Sequence, residues 1–581
     1  MSNTKIKGAS HGSADVVGLL IIGGLFAMVL GGGMCASAYE RWFGDQIVPA
    51  HPIRLWIGLI KGDVTWDVPI VLGLLSTVAV FSLILFAVLW AKTEKTKGRA
   101  GTVDRAQKTL HIPAQVKSFS QEAARDKAKN WLPKHLLDDH PGFLFGRVPG
   151  KKKLGLWGNW EETYLVIFGP RMGKTTSQVI PAIIEAPGAV VTTSNKRDVV
   201  DDTINFRKMR GQTWVFDPEN ISSSDENDPW YFDPLDMLRG DPERMDSEAI
   251  NLAHIFLTAS RGDKDSDGFW SDMGVNLVGY LFLAACLENL PITAVYKWIN
   301  DPNDKEPVDI LRNNPTWEYL GDALNGMYSM VKETKDGIFS QGQQMTAPLG
   351  RHAIRRWITP QEGARKFDPR EFVKDHDPTL YLLSSDGKEN AAAVTTALTA
   401  AVMKAAERYG QECGGRLPIP LVVALDEAAN CVKWPELPKL YSHYGSRSII
   451  LMTILQSYAQ GERVWGKEGM EALWSASSIL LYGGGVRDKD MLERMEALIG
   501  NMDVEEKSVS RSSQGRSTST HIREQKILSV SQLSAIPRGK MVVFSANRQA
   551  MIAETIPVFH RDWTTEVKEL VGVKNRSMAD E

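Results

Sequence analysis

Two short segments, far apart in the chain, constrain it more than any other feature. Tyr164-Leu165-Val166-Ile167-Phe168-Gly169-Pro170-Arg171-Met172-Gly173-Lys174-Thr175-Thr176 reads as a buried strand, a glycine loop and a helix start. Leu421-Val422-Val423-Ala424-Leu425-Asp426-Glu427 reads as a second buried strand that ends in two carboxylates. A loop of this kind aims backbone N–H groups and a lysine at one point, which suits phosphate. Gly169, Pro170, Arg171, Met172, Gly173, Lys174, Thr175 and Thr176 are therefore the expected nucleotide-binding set. The Thr175 hydroxyl and the Asp426 carboxylate are expected to hold Mg²⁺ between them, and Lys174 to hold the phosphates of ATP. Glu427 is the expected base for the attacking water. The second segment matters because a glycine loop alone is weak evidence.

The loop departs from G-x-x-x-x-G-K-[ST]. Phe168 stands where the first glycine belongs, and Gly169 comes one place later. A phenylalanine lacks glycine's freedom to take positive φ. Gly173-Lys174-Thr175, the part nearest the phosphates, is intact.

With 581 residues, several domains and a large core are expected. The net charge of −3 advertises no global affinity for nucleic acid. The charge is uneven, however: from Lys92 to Lys134 there are eleven Lys/Arg against four Asp/Glu. Cys35, Cys286, Cys413 and Cys431 form no C-x-x-C pair, so neither a zinc site nor a disulfide framework is expected.

Residues 1–98 read as a membrane anchor. Val16–Ala38 is a run of 23 residues without a charge, and Val68–Ala91 is another, of 24. Each is long enough to cross a hydrocarbon core of about 30 Å. Lys5 and Lys7 precede the first run, and Lys92, Lys95, Lys97 and Arg99 follow the second. The positive-inside rule then puts both ends in the cytoplasm and residues 39–67 outside. Residues 99–141 form a basic connector, in which Ser120–Leu132 reads either as a helix lying on anionic lipid or as a solvated linker.

The globular part opens near Gly142. Strands are expected around residues 189–194 and 213–218, and a nucleotide-binding domain is expected to run over 142–239 and resume over 376–581. Between them, 240–375 reads as an all-helical insertion. The rhythm resumes with strands near 379–383, 421–427, 448–455 and 478–482 and a last one at 541–546. Near-continuous apolar strands alternating with helices imply an α/β fold with a parallel sheet covered on both faces. Gln456 ends the strand after the acid pair, at the edge where ligands of such sheets collect, and its amide suits an attacking water or a γ-phosphate. Arg447, just before that strand, suits an arginine finger offered to a neighbouring subunit. The Ser/Arg-rich stretch 504–525 reads as a flexible loop, with Arg511 and Arg516 as candidate phosphate contacts. A short tail follows Trp563.

The order of these parts resembles the type IV secretion coupling proteins. The resemblance rests on Gly169–Thr176, Phe216-Asp217-Pro218, Phe269-Trp270, Leu425-Asp426-Glu427-Ala428, Leu455-Gln456-Ser457-Tyr458-Ala459-Gln460, and Ile527-Leu528-Ser529 through Pro537-Arg538-Gly539. It implies a RecA-like P-loop NTPase in the bacterial inner membrane, with most of the chain cytoplasmic. It also implies a homo-oligomer, a hexamer with a central channel, that hydrolyses ATP. The implied partners are single-stranded DNA bound without sequence preference, a relaxase or relaxosome, and the components of a type IV secretion channel. The helical insertion would then meet the substrate or relaxase complex. Delivery of protein effectors, or a membrane scaffold whose nucleotide site serves assembly, are the alternatives.

Overall fold

Runs of Val, Ile and Leu without polar interruption form strands buried on both faces, and these strands organise the fold. The structure, a computed structural model, describes residues 29–83, 106–107, 109–110, 113–222, 229–239, 241–260, 268–384, 391–512, 515–546 and 548–571; for 505–521 only the backbone is described. The chain divides into two units, Met1–Thr102 and Val103–Glu581.

The larger unit is built on an eleven-stranded sheet. In chain order its first strands are β1 (Phe143–Arg147), β2 (Gly155–Gly158), β3 (Tyr164–Ile167), β4 (Val190–Ser194) and β5 (Thr213–Phe216). Strands β6 (Trp230–Tyr231) and β7 (Arg365–Lys366) make a separate small parallel ribbon. The main sheet continues with β8 (Thr379–Leu383), β9 (Leu421–Leu425), β10 (Ile449–Leu455) and β11 (Ile479–Tyr482). After a hairpin of β12 (Asn501–Ser512) and β13 (Gly515–Lys526), it closes with β14 (Lys540–Ser545) and β15 (Met551–Glu554). The spatial order is β2-β1-β15-β14-β11-β3-β10-β9-β4-β8-β5.

From β11 to β5 every neighbouring pair is parallel. From β11 outward through β14, β15, β1 and β2 every pair is antiparallel. The sheet is thus mixed rather than wholly parallel. Its antiparallel wing comes from the two ends of the unit, Phe143–Gly158 and Lys540–Glu554. Those segments lie too far apart in sequence for their pairing to leave a local signal.

The insertion is helical as expected, from Met245–Ser260 and Gly268–Leu287 through Lys332–Thr346 and His352–Ile358. Pro348 separates the helices Lys332–Thr346 and His352–Ile358, because it offers no N–H and its ring crowds the preceding turn. Among the described residues of 240–375 one element is a strand: β7 pairs with β6 at the neck of the insertion. There Trp230 packs edge-on against Trp214 and Trp357, at 5.4 and 5.2 Å between ring centroids.

Two further expectations are corrected. The connector is neither a solvated linker nor a lipid-surface helix. Ser120 caps the helix Gln121–Ala128, and Val116, Phe119, Ala124, Ala128 and Leu132 are buried. Val116, Phe119, Ala128 and Leu132 pack in one cluster with Phe143, Phe145 and Val166. The amphipathic face was real, but the protein itself covers it. Residues 501–526, expected to hold a loop, form a ladder in unbroken register from Asn501↔Lys526 to Ser512↔Gly515. Alternating Val, Ser and Thr suit a pleated ribbon, so composition alone was a poor guide.

In the smaller unit, residues 29–43 are helical, followed by helices Pro52–Lys61 and Val68–Leu83. A Cβ on Gly73 would stand 2.5 Å from the Cα of Ala36, so the first and third helices cross backbone to backbone. Residues 16–28 and 84–91 of the two expected spans lie outside the described residues. Among the described residues one helix, Gly268–Leu287, is long and apolar enough to cross a membrane, and it is a core helix of the insertion.

Candidate nucleotide site

Strand β10 stands between β3 and β9 in the sheet. The C-terminal ends of these three parallel strands therefore bring together the glycine loop, Gln456 and the Asp426-Glu427 pair, in that order. This is the edge at which open α/β sheets place their ligands.

The loop reaches this geometry without a glycine at 168. Phe168 is fully buried, and the left-handed conformations fall at Arg171 (φ 61) and Gly173 (φ 81). What accommodates Phe168 is a triple glycine after β11. A Cβ on Gly483 would stand 2.3 Å from the Phe168 ring, and one on Gly169 would stand 2.3 Å from the Gly485 carbonyl oxygen. The Gly169 N–H donates to the Gly484 carbonyl at 2.9 Å. Gly483-Gly484-Gly485 was missed in the sequence, although three adjacent glycines at a strand end are a legible sign of close backbone approach.

The helix after the loop starts with one wide turn, in which the Ile180 N–H bonds the Thr175 carbonyl five residues back. Pro181 explains this, since it offers no N–H to the Ser177 carbonyl. That carbonyl instead accepts from Arg561 Nη2 at 3.4 Å. Arg561 is buried and also pairs with Glu185 at 2.6 Å and donates to Leu144 O at 2.7 Å. The chain's last described segment thereby braces the base of the loop helix.

Lys174 Nζ donates to Asp426 Oδ1 at 2.8 Å and also to Glu427 Oε1. Thr175 Oγ1 donates to Asp426 Oδ2 at 3.2 Å, and Gln456 Nε2 donates to Glu427 Oε1 at 2.6 Å. Thr193 Oγ1 holds the Asp426 backbone carbonyl at 2.7 Å. Burial works against the charge on Lys174, but the Asp426 and Glu427 carboxylates outweigh it and hold the ammonium above its usual range. Burial raises the Asp426 carboxyl, and Lys174 pulls it back. With two acids facing it, the lysine is charged.

Glu427 is the strained member. Its backbone is left-handed (φ 52, ψ 42), and its Oε2 is buried without a hydrogen-bond partner. A non-glycine residue in this region costs of order 1–3 kcal/mol and persists where surrounding structure or function demands it. Glu427 Oε2 is free to accept a hydrogen bond from a proton-bearing group such as water. Thr175 and Asp426 offer the oxygen donors that suit Mg²⁺, which usually takes one or two protein oxygens and completes its shell with water and phosphate.

Arg447 does not join this group. It precedes β10, whereas Gln456 follows it, so a seven-residue strand, about 23 Å long, separates Arg447 from the site. Its guanidinium pairs with Glu407. Gly169, Pro170, Arg171, Met172 and Gly173 form the loop, with Pro170 and Arg171 exposed, and Thr176 lies in the first turn of the helix that follows.

The fold is that of the RecA-like P-loop nucleotide-binding proteins. A family model described as the TraM recognition site of TraD and TraG matches residues 420–538. The probable conjugal transfer protein TraG of Sinorhizobium fredii (strain NBRC 101917 / NGR234) is 20% identical over 409 residues, which is 67% of this chain and 61% of that protein. The match thus spans less than two thirds of the relative's length. Among solved structures, the unbound bacterial conjugative coupling protein TrwBΔN70 superposes with a TM-score of 0.53 at 14% identity, covering 73% of this chain and 91% of that one. TrwB in complex with ADP and Mg²⁺ gives a TM-score of 0.51 at 14% identity, covering 70% and 88%. TrwB with the non-hydrolysable GTP analogue GDPNP gives 0.51 at 14%, covering 71% and 89%. At this identity the structural likeness is one of fold. Taken together, the family model, the relative and the fold support a type IV coupling protein.

Proposed function

We propose that the protein is a membrane-anchored ATPase that couples DNA, carried with its relaxase, to a type IV secretion channel and drives conjugative transfer. The observation that carries this reading is the convergence of Lys174, Thr175, Asp426, Glu427 and Gln456 at one sheet edge. The loop amides and Lys174 hold the phosphates of ATP. Thr175 and Asp426 hold Mg²⁺, which when bound neutralises phosphate charge. Glu427 accepts the proton of the attacking water, and the Gln456 amide orients that water against the last phosphate. TrwB in complex with ADP and Mg²⁺ supports the assignment of nucleotide and metal.

The anchor reading is supported by the apolar side chains that the smaller unit exposes, among them Met34, Trp42, Phe43, Ile60, Leu72, Leu75 and Leu83. With both ends cytoplasmic, the larger unit lies on the cytoplasmic side of the inner membrane. The TraM recognition description of the matching family supports a relaxosome partner. A homo-hexameric ring around a channel gives such a motor its path for single-stranded DNA, bound through phosphates and so weakened by salt.

The test is ATP turnover by the full chain in lipid nanodiscs, with and without single-stranded DNA. DNA-stimulated turnover that Lys174→Ala abolishes is expected. Turnover indifferent to DNA would favour an effector-delivering ATPase, and no turnover in either condition would favour a scaffold.

A further inference from the structure

Arg538 lies far from the glycine loop in sequence and beside it in space. Its Nε is 3.8 Å from the point that a Cβ on Gly173 would occupy. Gly173 is left-handed, and at that point its nearest neighbours are Thr176 Oγ1 at 3.7 Å and Arg538 Nε, so Arg538 lies directly against this flank of the loop. The approach of Arg538 is fixed from several sides. Ile536 packs on Gly484, where a Cβ would stand 2.9 Å from the Ile536 Cβ. Gly484 in turn accepts the Gly169 N–H. Pro537 and the left-handed Gly539 (φ 87) make a turn that Lys540 N closes onto Pro537 O at 3.1 Å. The Thr555 N–H, donating to Gly539 O at 3.0 Å, pins the far side. A guanidinium held at the Lys174 end of a phosphate loop adds a second cation, and its planar fork suits phosphate oxygens.

We propose that Arg538 is a phosphate-contact residue of the nucleotide site, supplied by the same chain, that binds a nucleoside triphosphate in preference to a diphosphate. This rests on the nucleotide reading of the site. The preference follows from charge: the last phosphate adds negative charge at the end of the loop that carries Lys174 and that Arg538 flanks. Arg538 also ends the segment that leaves the β12–β13 ribbon. That segment is rooted by Glu496, which accepts from the Val530 N–H at 2.9 Å and pairs with Lys526.

The experiment measures binding of MgADP and of Mg²⁺ with adenylyl imidodiphosphate to the detergent-solubilised full chain. The proteins are wild type, Lys174→Ala, Arg538→Ala and Arg538→Lys. Arg538→Ala should weaken the triphosphate analogue by about tenfold or more, the worth of one hydrogen bond to a charged group, and ADP by much less. Arg538→Lys should recover part of the loss. If wild type binds both ligands, Lys174→Ala weakens both and Arg538→Ala changes neither, the inference falls and the nucleotide reading stands. If wild type binds neither ligand, both fall. Should Arg538→Ala fail to fold, hydrogen exchange on wild type decides. The triphosphate analogue must slow exchange at 536–539 more than ADP does, and equal protection overturns the proposal.

Discussion

Replacing Gly169 with alanine tests how the loop is held in place. The added Cβ would stand 2.3 Å from the Gly485 carbonyl oxygen and 2.5 Å from its carbon. Carbon and oxygen normally stay more than about 3 Å apart, and both partners here are backbone, so no side chain can rotate away. One of the two loops must retreat by most of an ångström. Overpacking of this kind costs about 1–3 kcal/mol. The retreat also lengthens the 2.9 Å hydrogen bond from the Gly169 N–H to Gly484, worth about 1 kcal/mol more. Unfolding entropy scales with size, to roughly 1 kcal/mol per kelvin for a unit as long as Val103–Glu581, so the melting midpoint should fall by about 3 °C. Gly173→Ala makes the contrast. Its Cβ would meet nothing nearer than 3.7 Å, an ordinary contact, so only the left-handed backbone is penalised, by about 1 kcal/mol. The assay is thermal melting of the full chain in detergent, followed by near-ultraviolet dichroism. Gly169→Ala should be the more damaging of the two. A Gly169→Ala protein that melts with wild type would refute the bracing of the loop by Gly483-Gly484-Gly485.

Arg561→Met should destabilise by about 3–5 kcal/mol, because it leaves Glu185 buried without its partner; pairing it with Glu185→Met should recover much of that loss in the same melts. His140 Nδ1–H donates to the Glu185 carbonyl at 2.9 Å, and burial, then the charge of Arg210, lowers its pKa. Its folded value thus lies below its unfolded one, so the unfolded chain takes up the proton first, and stability present above about pH 6.5 is lost as pH falls from there through the folded value. His140→Gln should flatten the stability profile between pH 7.5 and 5.5, to the extent of about one kcal/mol per pKa unit, and unchanged slopes would remove His140 as the cause. Arg447→Ala should act through Glu407 on stability and leave ATP turnover within about threefold, less than removal of a group that touches the reaction. Mixtures of Arg447→Ala and Lys174→Ala subunits should give no more turnover than the sum of the parents. Recovery above that sum would return Arg447 to the site as a group acting between subunits.

The halves of the site were legible because each is written in a few adjacent residues. Gly173-Lys174-Thr175 and Asp426-Glu427 sit at strand ends that their own apolar runs announce. Gln456 was legible for the same reason, and strand order then placed it between them. Arg447 begins the strand whose far end carries Gln456, so it stands a strand's length from the site of its own chain, and a role at a neighbouring subunit's nucleotide is a matter for the mixing experiment. The bracing of Phe168 by Gly483, and the approach of Arg538 to Gly173, depend on contacts between segments more than 300 residues apart in the chain. No local pattern encodes those. The same limit hid the antiparallel wing, whose strands come from opposite ends of the unit. The connector shows a different limit. An amphipathic helix reports that one face wants covering, and Phe143 and Phe145 cover it where lipid had been an equal expectation.

The central claim is that Lys174, Thr175, Asp426, Glu427 and Gln456 form one hydrolytic site, with Glu427 as the base. Glu427→Gln tests it most directly, because the amide can keep the hydrogen bond partner at Gln456 but cannot accept the water's proton. The measurement is phosphate release by the full chain with saturating MgATP, alongside ATP binding by the same protein. The account predicts near-normal binding with turnover lowered by about 10²–10⁴. Turnover within a few-fold of wild type, with binding intact, would contradict it and place the base elsewhere.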